Sequence, residues 1–453
     1  MIDAATYAAR RQTLCAQLDG GLVVLLGNSE SPMNYADNVY PFRQDDTFLY
    51  YLGLDEPDLA AVIDAATGRC TVFGDELTID DIVWTGPRPT VAEMAAEAGV
   101  TETRPRSDLA GVVGAAARIH HLPLYRHDHV LLMRELLGCV DLTPSVDLIR
   151  AVAAQRSIKS ADEIVELEEA VDLSVDMHVA GMRCARPGMT EAMVAAEIER
   201  VAVAADRRPS FPVIATVRGA VLHNHDHDGV IEDGDLFLID AGGESARHYA
   251  GDLSSTFPVS PTFSERQRVM YELSLQAHEA ALDTVAPGTT NLAVHLAAAR
   301  AITVGMIDLG LMQGDPDEAV AAGAHALFFP CGVGHMLGLG VHDMEDLGEH
   351  FVGYAEQPRD PRFGFKSLRL ARVLEPGFVL TIEPGIYFIP QLIDRWRADG
   401  HLARFYCWDA IDQWRDFGGI RNEEDVLVTA DGMQVLGKPK PRTVAEVEAL
   451  RAR

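Results

Sequence analysis

The sequence predicts an α/β domain followed by an α+β domain in which helices flank a mainly antiparallel sheet. Three observations lead there. The first 146 or so residues alternate short apolar runs with helical stretches. A capping signature then opens a long helical period at Ser160. Beyond it, helical segments alternate with apolar runs, several of which end in a carboxylate.

In the first domain Leu22–Gly27, Ala60–Asp64 and Thr71–Gly74 read as strands, and Val91–Ala98 and Asp128–Leu137 as helices. The second domain opens near Arg156, so the expected division is 1–155 and 156–453. Ser160 with Glu163 forms a capping box, and Ile164, Leu167, Val171, Val175, Val179 and Met182 recur at helical spacing. That helix stops before Pro187-Gly188, and a second begins near Thr190. Ser264 with Gln267 caps a third helix, expected to run to Pro287-Gly288, and a fourth covers Leu292–Leu309. Strands are expected at Leu236–Ala241, Ser255–Val259, Val379–Glu383, Ile386–Ile389 and Val426–Thr429.

Composition excludes some functions. The chain has 453 residues, with 38 Lys+Arg against 68 Asp+Glu, a net charge of −30. Such a surface repels nucleic acid and anionic lipid, so neither is an expected partner. The longest early apolar run, Leu22–Leu26, is too short to span a membrane, and no leader or anchor is expected. Six cysteines lie far apart without a C-x-x-C pair, and are read as reduced thiols of a cytoplasmic protein.

Five residues with metal-ligand chemistry sit on or beside the predicted strands. Asp240 ends the run Leu236-Phe237-Leu238-Ile239, and Asp252 precedes Leu253-Ser254-Ser255-Thr256-Phe257. His335 lies in Gly332-Val333-Gly334-His335-Met336-Leu337-Gly338, Glu383 follows Leu380-Thr381-Ile382, and Glu423 follows Gly419-Ile420-Arg421-Asn422. A carboxylate at the end of an apolar strand needs water, an Arg or a metal to solvate it. Four carboxylates and one imidazole suit Mn(II), Co(II) or Zn(II). Two such ions would lie about 3.5–4 Å apart and share an activated water.

These segments, with Val341-His342-Asp343, Thr381-Ile382-Glu383-Pro384-Gly385-Ile386-Tyr387 and, upstream, Tyr40-Pro41-Phe42-Arg43-Gln44 and Phe48-Leu49-Tyr50-Tyr51-Leu52-Gly53, resemble the pita-bread metallopeptidases. Within them the chain is most similar to the Xaa-Pro aminopeptidases, and close to the Xaa-Pro dipeptidases. The resemblance implies a curved, mainly antiparallel catalytic sheet and hydrolysis of the bond before proline in proline-containing peptides. It implies two divalent ions, Mn(II) first. Asp240 would hold one, His335 with Glu383 the other, and Asp252 and Glu423 both. Glu383 would also handle the proton of the attacking water. His223 and His342 would be catalytic residues in contact with substrate, and Tyr387 and Arg421 would bind substrate beside them. His225 and His227 match nothing and are expected to be bystanders.

The same resemblance implies a homodimer or homotetramer, and likens Trp84 to a tryptophan that reaches into a neighbouring subunit's site. A metal-free hydrolase or binding protein of the same fold is the remote alternative, opposed by the presence of all five ligands. Three departures stand out. Asp252 follows Asp240 by 12 residues (252 − 240), one more than in relatives, which reverses its facing unless the turn absorbs it. Asn224 and Asn422 replace a Tyr and an apolar residue. Cys331 stands where many relatives carry a His.

Overall fold

The computed structural model describes residues 2–452. The chain divides into two compact units, one running to Arg156 and including Met344–Phe351, the other formed by Ser157–Asp343 and the chain from Val352 onward.

The first unit is built on a five-stranded mixed sheet, ordered Glu102–Arg104, Cys70–Phe73, Ala60–Asp64, Leu22–Leu26, Ile119–His120. The inner pairings are antiparallel and the two edge pairings parallel. Leu22–Leu26 is an unbroken apolar run because both of its faces are covered. Val24, Leu26, Val62 and Phe73 pack with Leu109, Val113, Met133 and Leu136 of the helices Leu109–Gly114 and His127–Leu137. The helix Ile79–Thr85 buries no residue; its Ile79, Val83 and Trp84 are 75%, 72% and 87% exposed.

The second unit contains two helix pairs. Ala161–Cys184 and Glu191–Ala204 form the first, Glu265–Leu282 and Asn291–Asp308 the second. The capping boxes at Ser160 and Ser264 form as expected. The third helix, expected to reach Pro287-Gly288, stops earlier, at Leu282. Its carboxylate-bearing strands are all antiparallel. One ladder is Ile214–Thr216, Leu236–Ala241, Leu253–Pro258; another is Val379–Ile382, Glu424–Val428, Met433–Val435.

Two short strands, Gly385–Tyr387 and Gly419–Arg421, continue the register of Val379–Ile382 on Glu424–Val428. The ladder breaks between them at Pro384, which has no N–H to contribute. Continuing the register through that gap sets Glu383 opposite Glu423. The two sets of strands are joined by Thr256, whose hydroxyl donates to Arg421 O at 3.0 Å and accepts from Arg421 N–H at 3.1 Å. Glu423 N–H donates to Ser254 O at 3.2 Å, extending the junction. Among the described residues, no helix is long and apolar enough to cross a membrane.

Candidate active site

The hairpin Leu236–Ala241/Leu253–Pro258 resolves the long spacing. Asp240 pairs with Ser254, so Asp252 stands opposite Gly242, two positions along, and shares the face of Asp240. The connection absorbs the extra length through an irregular turn, in which Ser245 N–H donates to Tyr249 O and His248 takes φ 66°. His178, on the helix Ala161–Cys184, fixes this hairpin from behind: its ring bonds Ser255 Oγ at 2.9 Å and Ala241 O at 2.9 Å.

His335 is placed by the segment 333–337, which runs beside Val379–Ile382. Thr381 N–H donates to His335 O at 3.0 Å, and His335 N–H to Thr381 Oγ1 at 3.1 Å. Gly334 makes this approach feasible, since a Cβ there would sit 1.9 Å from Thr381 O. His335 Nδ1 lies 3.0 Å from Met336 O and must donate to it. Its Nε2 points the other way, 3.4 Å from Asp252 Oδ2 and 3.5 Å from Glu383 Oε1, and in the neutral ring it is the atom with the lone pair.

The sheet thus delivers Asp240, Asp252, His335, Glu383 and Glu423 to one cavity of about 350 Å³, together with His223, His342 and Arg421. Ligand atoms of Asp252, His335 and Glu423 lie within 4.8 Å of one another. Asp252 Oδ1 is buried without a hydrogen-bond partner, and Ser254 Oγ donates to Glu423 at 2.7 Å. An orphaned carboxylate oxygen, an inward imidazole Nε2 and a surplus of carboxylates fit divalent cations. Asp240 is set apart, because Arg421 donates to one of its oxygens.

Electrostatics point the same way. Burial, with Asp240 beside it, pushes the Asp252 carboxyl well above its usual range. Burial and the neighbouring carboxylates do the same to Glu423. Glu383 is pushed up to about 7 by burial, against the pull of His335 and Arg421. Crowded acids of this kind gain most from a cation.

His342 lies beside His335, with ring centroids 4.2 Å apart. Its loop is held shut by Asp343, whose N–H donates to Met336 O and whose carboxylate forms a buried ion pair with Lys159 at 2.9 Å. Burial, then His335, lowers the His342 imidazole to about 2. His223 is also lowered, chiefly by burial. Tyr387 does not line the cavity; its hydroxyl accepts from Arg421 at 2.9 Å behind it.

Several residues escaped the sequence reading. His225, expected to be a bystander, lines the cavity, whereas His227 turns to Val213 O. Arg369 lines it too, carried by a loop with no periodic signal. Behind the ligands, Asp425 accepts from Asp252 N–H at 3.0 Å and Lys440 donates to Glu423 O at 2.8 Å. Asn422 turns away from the cavity, donating to Ser274 Oγ at 3.2 Å and accepting from the Tyr271 hydroxyl at 3.3 Å.

Cys331 lines the cavity, and burial beside Glu383 pushes its thiol up to about 12. It therefore stays protonated at neutral pH, a small weak donor. Cys331→Ser should keep the metal content and change turnover by no more than about tenfold, the worth of one neutral hydrogen bond. Elemental analysis checks this directly, since loss of an ion would make the thiol a ligand.

Residues 165–430 match the model of metallopeptidase family M24, and residues 7–122 that of the aminopeptidase P N-terminal domain. The chain is 32% identical to the Xaa-Pro dipeptidase of Rattus norvegicus, over 99% of this chain and 94% of the relative. It is 30% identical to the Xaa-Pro aminopeptidase of Escherichia coli strain K12, over 98% and 97%. The solved structure of Pseudomonas aeruginosa aminopeptidase PepP superposes with a TM-score of 0.82 at 32% identity, covering 100% of this chain and 99% of that one.

Proposed function

The chain belongs to metallopeptidase family M24, and we propose that it is a Xaa-Pro aminopeptidase, hydrolysing the bond between a peptide's first residue and a following proline. The observation that carries this is one cavity lined by four carboxylates and an imidazole whose Nε2 faces two of them. Asp240 would hold one divalent ion, His335 and Glu383 a second, and Asp252 and Glu423 both. Mn(II) is the proposed metal, with Co(II) and Zn(II) as the other candidates. Such ions supply Lewis acidity and acidify a water.

The residues do the rest. Glu383 takes the proton of the attacking water and returns it to the proline nitrogen. His223 and His342, kept neutral by burial, each present one N–H to the oxygen of the scissile carbonyl. Arg421 fixes Asp240 and Tyr387. The cavity walls include Phe211, Pro212, Ile214, Leu222 and Val341, which suit a pyrrolidine ring. A Xaa-Pro bond has no N–H, so walls without an acceptor lose nothing by receiving it.

A second reading, Xaa-Pro dipeptidase, is favoured by Arg369, a cation in the cavity suited to the free carboxylate of a dipeptide. A length series separates the two. An aminopeptidase should cleave Ala-Pro-Ala, and a strict dipeptidase only Ala-Pro. Either should prefer Ala-Pro-Ala or Ala-Pro to its Ala-Ala counterpart by at least about tenfold. Equal rates would refute proline selectivity.

Residues 1–155 would form the N-terminal domain and 156–453 the catalytic one. The exposed Ile79, Val83 and Trp84 support a homodimer or homotetramer in which this helix is covered. Six free thiols agree with a cytoplasmic location.

A further inference from the structure

His223 sits on the loop 217–229, which follows the strand Ile214–Thr216. Both ends of that loop converge on one buried carboxylate. Glu191, 0% exposed, is the first residue of the helix Glu191–Ala204. Its Oε1 accepts from the Thr216 hydroxyl at 2.8 Å and from Val217 N–H at 2.8 Å. Its Oε2 accepts from Gly229 N–H at 2.9 Å and from Arg218 at 3.4 Å. The backbone closes the same junction, with Glu191 N–H donating to Gly229 O at 2.9 Å. Gly229 permits the approach, since a Cβ there would lie 2.6 Å from Glu191 Cδ.

The contact runs on toward the cavity. Having donated to Glu191, the Thr216 oxygen accepts from Asn224 Nδ2 at 2.9 Å and from Arg218 N–H at 2.9 Å. Asn224, next in sequence to His223, is buried, and its own Oδ1 accepts from Asp226 N–H at 3.3 Å. A buried carboxylate, a buried hydroxyl and a buried amide thus form a directional chain that fixes the backbone on the C-terminal side of His223. None of the three lines the cavity.

We infer that Glu191 is a positioning residue for the reaction, setting the His223 imidazole through Thr216 and Asn224. The inference rests on the reading of His223 as a substrate contact. Glu191 touches none of the proposed metal ligands, so its role is separable from metal binding. Asn224 supplies the link from Thr216 to the residue next to His223.

A double-mutant cycle on the full-length, metal-loaded protein tests this, with Ala-Pro-Ala as substrate. Glu191→Ala should lower kcat by about 10- to 100-fold, the cost of misplacing a reacting group by about 1 Å, and leave metal content unchanged. Glu191→Gln, which keeps one acceptor oxygen but opposes an NH2 to Gly229 N–H, should recover part of the loss. In a His223→Ala background, Glu191→Ala should have no further effect, because the group it positions is gone. An equal fold-loss in both backgrounds, or a loss of metal, would overturn the inference. Near-parental turnover in His223→Ala alone would instead overturn the reading of His223. If Glu191→Ala does not fold, Thr216→Val enters the same cycle with the same criteria.

Discussion

Glu423→Gln should lose bound metal and turnover together, the latter by roughly 10³-fold or more, the scale on which a catalytic constellation loses a member. The substitution is nearly isosteric. Ser254 Oγ can still donate to the remaining oxygen, and the backbone bonds to Ser254 and Lys440 are untouched. What changes is charge. Glu423 stands with Asp240, Asp252 and Glu383 in one buried cluster, where burial first, and neighbouring carboxylates second, raise the Asp252, Glu383 and Glu423 carboxyls. Removing one charge relieves that crowding, so the metal-free variant should unfold no earlier than the metal-free parent. The parent should gain about 2.7 kcal/mol when metal is supplied at 100 times its Kd. The variant should gain much less. Thermal unfolding with and without Mn(II), beside elemental analysis, reads both. A variant that retains a full metal complement would remove Glu423 from the proposed ligand set.

His342→Ala should give the opposite pattern, full metal with turnover lowered about 10²- to 10³-fold, as for a lost oxyanion donor. The imidazole is held near 2 by burial and His335, so it is neutral throughout the working pH range and can present one N–H. Its loop is fixed by the Lys159–Asp343 pair and by Asp343 N–H on Met336 O, none of which involves the ring. The fold should therefore survive. The loss should appear in kcat more than in KM, because the developing oxyanion and not the ground-state carbonyl gains most from the donor. Metal loss in this variant would exchange the proposed roles of His342 and the ligands.

Features with local chemistry were legible in sequence. Ser160-x-x-Glu163 and Ser264-x-x-Gln267 announce helix starts because the box satisfies backbone donors within four residues. Leu236–Ala241 is found at its full length because its apolar run ends at a charge. The helix ends at Leu282, ahead of Pro287-Gly288, because its last turn tightens: Thr284 N–H donates to Ala281 O and Val285 N–H to Leu282 O, a closure that Asp283-Thr284-Val285 do not announce. Ile214–Thr216 is three residues long, too short to carry a period, yet it forms the edge against Asp240. The assignment of Met344–Phe351 to the first unit has no sequence mark, since it is made by contacts far apart in the chain.

The site divides along the same line. Asp240, Asp252, Glu383 and Glu423 could be singled out because they sit on or beside apolar runs, in motifs that together resemble those of the pita-bread metallopeptidases. Ser254, Asp425 and Lys440, which orient them, look like ordinary strand and loop residues until the two sets of strands are brought together. Arg369 and His225 belong to irregular segments, where no periodicity says which side chain faces inward.

The junction at Thr256 and Arg421 has a consequence for the timing of synthesis. Asp240 and Asp252 are made first, His335 comes 83 residues later (335 − 252), and Glu423 comes 171 residues after Asp252 (423 − 252). At about 5–20 residues per second, the first pair waits roughly 9–34 s for its last proposed partner. Until His335 is made, the growing chain offers a cation only the two neighbouring carboxylates of this proposed set, a weak and unselective grip. The proposed site would therefore select its metal only after both halves have met.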